Sequence, residues 1–149
     1  AIIRSLMDRQ EPAPMTPRSS LVAQTRHTRL LPFSKLVPAA TMDFELRRCA
    51  STCHITAVYY HFPSGTNALV QVRILVQGRA GNRQVSPTPS ETFLALDNTT
   101  LPISNLQHPV DEGDDIRVEW WNFDGGNAHR VPVEVLVQED AAGHGRAGS

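Results

Sequence analysis

"EGDDIRVEWWNFDGGNAHRVPVEVLV", residues 112–137, is the stretch on which the fold turns. Two runs of alternating apolar and polar residues flank a glycine-rich break, the pattern of two strands around a turn. Ile116, Val118 and Trp120 share one face of the first run. Val131, Val133, Val135 and Val137 share one face of the second. Neighbouring strand residues point to opposite faces, so the core claims Trp120 and sends Trp121 outward with Arg117 and Glu119, unless a bulge at "WWNF" shifts the register. "DGGN" supplies the glycines of a tight return and predicts that the two strands form a hairpin. Pro132 removes one ladder donor and predicts a sheet edge for the last strand. An outward indole beside an edge strand is a candidate interface; the alternative is that Trp121 lies beneath the N-terminal segment or a loop of its own chain.

The same alternation runs upstream. "MDFEL" puts Met42, Phe44 and Leu46 on one face, and "HITAVYYHF" is rich in β-branched and aromatic residues before the turn "PSGTN". "ALVQVRILVQG" sends Val70, Val72, Ile74 and Val76 inward, with Gln71, Arg73 and Gln77 outward. A polar loop, "GRAGNRQVSPTPS", then precedes the short runs "ETFLAL" and "NTTLPISNL". About seven or eight strands over roughly 95 residues, with no long amphipathic helix competing, predict an all-β chain folded as an antiparallel, jelly-roll-like β-sandwich. That domain is expected over residues 42–138, followed by a flexible Gly/Ala-rich tail over 139–149.

Length and composition fit this reading. A chain of 149 residues, 40% hydrophobic and 19% charged, carries one domain with a real core. No run approaches the roughly 18 apolar residues of a membrane-spanning helix, so no membrane partner is expected. "AIIRSLMDRQEPAPM" lacks the apolar core of a secretory signal. The net charge of −1 hides an asymmetry: residues 1–41 carry six basic residues against Asp8 and Glu11, a balance of +4, and the rest of the chain carries −5. Five prolines lie in the same 41 residues (Pro12, Pro14, Pro17, Pro32 and Pro38) and favour extended backbone. The expectation is an extended, Pro-rich basic arm over 1–41, with short strand or helix pieces in "SSLVAQTRHTRLL" and no core of its own. Such an arm docks on an acidic surface, that of a neighbouring copy for example, or remains a solvated tail. Arg4, Arg9, Arg18, Arg26 and Arg29 join Trp121 as candidate interface residues. The arginines are dispersed with no aromatic residues between them, which argues against nucleic acid.

Chemistry-bearing motifs are weak. Cys49 and Cys53 in "CASTC" would lie roughly 13 Å apart along an extended strand, too far for a disulfide unless "AST" turns tightly. With His54 they do not make a zinc spacing, and no metal or other cofactor is expected. His54 and His61 fall on opposite faces of one strand by parity. "DEGDD", residues 111–115, lacks the alternating oxygen ligands of a calcium loop and reads as a solvated turn. "SGTN" and "GRAGN" lack the strand–glycine turn–helix order of a phosphate loop. No G-x-S-x-G or comparable nucleophile context occurs, so the chain is not expected to be an enzyme.

The closing pattern "LPISNLQHPVDEGDDIRVEWWNFDGGNAHRVPVEVLVQ", residues 101–138, resembles small β-sandwich structural proteins of tailed-bacteriophage virions, the capsid decoration and head- or tail-accessory proteins. The resemblance lies in a proline-led segment, an "EGD" turn, an alternating strand with a following Asn, and a valine-rich final strand. It implies a virion location and a structural role, with other copies of the chain and a major capsid or other virion protein as partners. No functional residue of that family maps onto the sequence. The competing expectation is an extracellular or cell-surface carbohydrate-binding module or adhesin, with Trp121 and Tyr59 or Tyr60 as a platform for a glycan. An aromatic content of 6% and the unexplained arm weigh against it.

Overall fold

The computed structural model describes residues 27–140. Within them the chain runs through eleven strands. They are β1 (Thr28–Phe33), β2 (Leu36–Val37), β3 (Met42–Arg48), β4 (Cys53–Phe62), β5 (Val70–Gly78) and β6 (Gly81–Ser86). There follow β7 (Thr99–Ile103), β8 (His108–Val110), β9 (Asp115–Asn122), β10 (His129–Arg130) and β11 (Val133–Glu139). One compact unit spans Arg29–Gln138; a second comprises the two chain ends, of which residues 27, 28, 139 and 140 are described, with the Glu139 amide donating to the His27 carbonyl at 2.8 Å.

The strands make two sheets and a short ribbon. Sheet A has the order β3-β9-β5-β6 and sheet B the order β1-β11-β4-β7. β8 also pairs with β4, so β7 and β8 are successive halves of one edge, interrupted between Ile103 and His108. β2 and β10 pair as a separate two-stranded ribbon. Counting β7 and β8 as one strand, the chain alternates between the sheets except at the β5–β6 hairpin, which is the wiring of an eight-strand jelly roll. The expected all-β antiparallel sandwich is therefore observed.

The core is the slab between the sheets. Sheet A contributes Val70, Val72, Ile74 and Val76 from β5 and Ile116, Val118 and Trp120 from β9, all wholly buried. Sheet B contributes Phe33, Ile55, Val58, Tyr60, Val133, Val135 and Val137, also wholly buried. Apart from one break in β4, these β-branched or aromatic side chains fill alternate strand positions, so the pleat itself builds the dry face. Trp120 spans the slab: its Nε1 donates to the Val131 carbonyl at 2.8 Å, which satisfies the one polar atom it brings inside. Tyr60 does the same by donating to Ser86 Oγ at 2.6 Å, and burial pushes its phenol well above the ordinary tyrosine range.

Four sequence expectations change here. β9 and β11 do not form a hairpin; they lie in different sheets and meet face to face across the core. Two strands with a fully apolar side each bury more by stacking those sides than by pairing edges, and "DGGN" is spanned instead by a crossover that carries β10. Pro132 precedes β11 rather than interrupting it, and β11 is an inner strand flanked by β1 and β4. The strand that covers it comes from the segment expected to be an arm. Its end, from Thr28, supplies β1 and β2, with Phe33 and Val37 wholly buried, so the sandwich begins near residue 28 rather than 42. Last, Ala57 and Val58 are both buried, a break in alternation that returns His54, Thr56, Tyr59 and His61 to the same outer side of β4. The parity that separated the two histidines therefore fails, although six intervening residues still keep them apart.

Candidate functional site: the outer face of sheet A

β3 is amphipathic in an unusual sense. Directly paired residues of an antiparallel ladder point the same way, so Asp43, Glu45 and Arg47, opposite Trp120, Val118 and Ile116, lie on the inner side. Met42, Phe44 and Leu46, opposite Trp121, Glu119 and Arg117, lie on the outer side. The inward charges sit at the sheet edge, where β1 and its link to β2 bind them. The Ser34 amide donates to Glu45 Oε1 at 2.9 Å, Lys35 Nζ lies 3.2 Å from Asp43 Oδ1, and Arg47 Nη2 donates to the Pro32 carbonyl at 2.7 Å. Arg47 also lies over the Phe33 ring, 5.3 Å from its centroid. Charges in this position blunt an open edge against strand addition.

The apolar side of β3 consequently faces outward and joins the outer residues of β9 and β5. Glu119 stands at the centre, between Phe44 on one flank and Arg73 on the other. It is 5% exposed, and each of its oxygens meets a different guanidinium: Arg73 Nε at 2.7 Å and Arg117 Nε at 2.6 Å. Burial alone would raise its pKa; the hydrogen bonds and charges of the two arginines outweigh that and hold the carboxyl below the usual range. Each arginine also uses its flat face. Arg117 lies 3.9 Å from the centroid of Phe44, and Arg73 lies 4.8 Å from that of Phe93. The result is a row of ring, guanidinium, carboxylate, guanidinium and ring across three strands.

Phe93 arrives from the segment after β6. Gln84 holds that segment by donating through Nε2 to the Pro87 and Thr92 carbonyls and accepting the Glu91 amide at Oε1. A two-way backbone bridge between Leu94 and Val72 then pins it to the edge of β5. This bridge is all that remains of the strand expected in "ETFLAL". Phe93 meets Trp121 edge-on, with centroids 6.2 Å apart and planes at 78°.

Trp121 thus points outward as the alternation requires, yet it is half-buried beneath a loop of its own chain, and its Nε1 is enclosed without a hydrogen-bond partner. What remains open beside it is Phe123, Phe44 and Leu46, at 58%, 38% and 41% exposure. A shallow cavity of ≈ 290 Å³ adjoins Trp121 and Phe123, lined by Ala40, Thr41, Met42, Trp121, Asn122 and Phe123. Of the other candidate interface residues, Arg29 is an exposed residue of β1, in sheet B, while Arg4, Arg9, Arg18 and Arg26 lie outside the described residues, as does most of the expected tail. The glycan platform does not assemble: Tyr60 is in the core and Tyr59 belongs to sheet B, so neither joins Trp121 on one surface. Phe44, Leu46 and Phe93 were not singled out from the sequence as site residues. The signal for Phe44 and Leu46 was the charge on both sides of Phe44 in "MDFELRR", which left the apolar alternates without an obvious inside; Phe93 had none.

Elsewhere, histidines take structural partners. His61 Nε2 lies 2.9 Å from Glu134 Oε1, and His129 Nε2 lies 2.8 Å from Asp124 Oδ2. Among the described residues no group of His, Cys, Asp and Glu is arranged to hold a metal ion.

Wiring and surface together define the class: an eight-strand jelly-roll sandwich in which one outer sheet face carries exposed aromatic and apolar side chains around a buried carboxylate and two arginines. No protein-family model matches the sequence, and no curated protein matches it. Among solved structures, the chain is similar to one of infectious bursal disease virus, Gx strain, at 12% identity and a TM-score of 0.39, over 80% of this chain and 33% of that one. It is similar to FlhE at 17% identity and a TM-score of 0.39, over 75% of this chain and 96% of that one. It is also similar to the VP2 subviral particle of infectious bursal disease virus at 15% identity and a TM-score of 0.37, over 80% and 33%. The chain spans about a third of the length of those viral chains. Likenesses this weak carry no argument about its role, and the class rests on the strand order itself.

Proposed function

We propose that this protein is a structural component of a virion, of the capsid decoration or minor capsid and accessory kind, which assembles through the outer face of sheet A. A fold by itself does not assign a role, and jelly rolls serve viral capsids, lectins and cupins alike. The observation that carries the reading is the reversed polarity of β3. Its outer alternates are Met42, Phe44 and Leu46 and its inner ones are charged, so the apolar side of an edge strand is presented to the surroundings. Rings, leucine and paired arginines beside a shallow cavity are the composition of an interface centre. On this reading the partners are other copies of the chain and a larger shell protein, and the chain performs no catalysis.

Size-exclusion chromatography with light scattering tests this across a range of concentrations. The full chain is expected to self-associate, alone or on addition of a shell protein. The double substitution Phe44→Ser with Leu46→Glu should abolish association while changing unfolding free energy by about 1 kcal/mol or less, as for exposed positions. Association that survives the double substitution would remove the face from the account.

A further inference from the structure

Cys49 and Cys53 bracket the turn by which the chain leaves β3 in sheet A and enters β4 in sheet B. Their Sγ atoms lie 3.0 Å apart, and both residues are buried, at 4% and 1% exposure. The extended spacing that would hold them apart is absent because Ala50, Ser51 and Thr52 fold into a bend rather than a strand. The segment between β8 and β9 fixes the Cys49 end of that bend, and β8 fixes the Cys53 end. The Cys49 amide donates to the Asp114 carbonyl at 2.8 Å, and the Gly113 amide donates to the Cys49 carbonyl at 2.8 Å. Cys53 pairs with Val110 in the β4–β8 ladder. Asp114 is itself held, since Oδ2 accepts from the Asp111 amide at 3.2 Å and from Arg83 Nη2 at 3.3 Å. Gly113 sits at φ +90°, a left-handed conformation that glycine adopts without steric cost. Two sulfur atoms are therefore brought inside van der Waals contact by a backbone that has few other positions for them.

We propose that Cys49 and Cys53 are a disulfide-forming site, closed by thiol–disulfide exchange with a small-molecule disulfide such as oxidised glutathione. One cysteine, as its thiolate, attacks a sulfur of the reagent and releases one thiol, leaving a mixed disulfide. The second thiolate attacks the protein sulfur of that mixed disulfide, forms the Cys49–Cys53 bond and expels the second thiol. The two cysteines lose two hydrogens in total, and the reagent is reduced to two thiols. Ala50, Ser51 and Thr52, the residues between the two cysteines, are exposed, so the buried pair lies one bend below the surface. The bond staples the crossover between the sheets at the point where the β8–β9 turn docks, and it suits a protein that works where thiols are not kept reduced.

The full chain, equilibrated in a glutathione redox buffer and then alkylated, provides the test. Intact mass should show the loss of two hydrogens with no glutathione adduct and no alkylation, and peptide mapping should place the bond between residues 49 and 53. The oxidised protein should melt at a higher temperature than the reduced protein, and this comparison needs no substitution. Cys53→Ala, or Cys49→Ala should the first fail to fold, should instead accumulate a stable glutathione adduct. A persistent adduct on the unsubstituted chain, bonds only between chains, or complete alkylation of both thiols after oxidation would each overturn the proposal.

Discussion

Trp120 and Trp121 are neighbours in sequence on the two faces of β9, and their surroundings differ in kind. On the inner face Ile116, Val118 and Trp120 are wholly buried in the core, Asn122 ends the strand with its side-chain amide donating to the Val37 carbonyl, and the single polar atom that Trp120 brings is satisfied across the slab by Val131. The outer face is mixed: a buried carboxylate between two guanidiniums, each capped by a ring, with Trp121 leaning on Phe93. Strand alternation decides which face a residue takes. It does not decide what the face meets, because the inner face is completed by a strand of the other sheet and the outer face by a loop and by an edge strand of reversed polarity.

The difference between these faces is testable by substitution. Trp120→Ala is expected to cost the most, about 3–5 kcal/mol in chemical denaturation, through an emptied core site. A loss below about 1 kcal/mol would mean that the slab is not packed as described. Glu119→Gln comes next, at about 2–3 kcal/mol, because two partly buried guanidiniums lose their shared counter-charge. Since the Glu119 carboxyl is held below its ordinary pKa, the stability it contributes is full above the unfolded pKa and is lost as pH falls through the folded one. The Gln variant should therefore show a shallower decline of stability with acidification than the parent.

Trp121→Ala should cost about 1–2 kcal/mol, since a half-buried ring loses one edge contact with Phe93 and nothing from the core. A loss equal to that of Trp120→Ala would erase the distinction between the faces. The smallest effect is expected just past β9, at Asp124. The hydrogen bond from His129, then that from the Gly126 amide, draws its carboxyl down to about 2. Its contribution is complete above the ordinary carboxylate pKa and is lost as pH falls from there towards about 2. Asp124→Asn should lower the melting temperature slightly at neutral pH, where that contribution is complete, and flatten the acid limb of the profile so that the two proteins converge as pH falls towards about 2.

Much of the sandwich was legible because period-two alternation is a local property. Val70 to Val76, Ile116 to Trp120 and Val131 to Val137 all declared their buried sides in the order of residues along one strand. The assembly of those strands was not local. "TRLLPF" reads as the end of a proline-rich segment, and only the vacant flank of β11 makes it a strand of sheet B. "MDFELRR" has a charged side and an apolar side, and which of them faces inward depended on the register with β9 and on the link between β1 and β2. Phe93 lies 28 positions from Trp121 in a loop without periodicity, so no window of sequence joins them.

The sequence by itself determined that the chain is all-β, which side of β5 and β9 faces the core, and that the two tryptophans part company, because each follows from the alternating geometry of an extended backbone. The tertiary structure alone decided that the last two long strands stack instead of pairing, that the sandwich starts near residue 28, that β3 turns its apolar side outward, and that the two cysteines touch. Those outcomes depend on which distant segment fills each open edge and face, a choice made by packing over the whole molecule rather than by any stretch of chain.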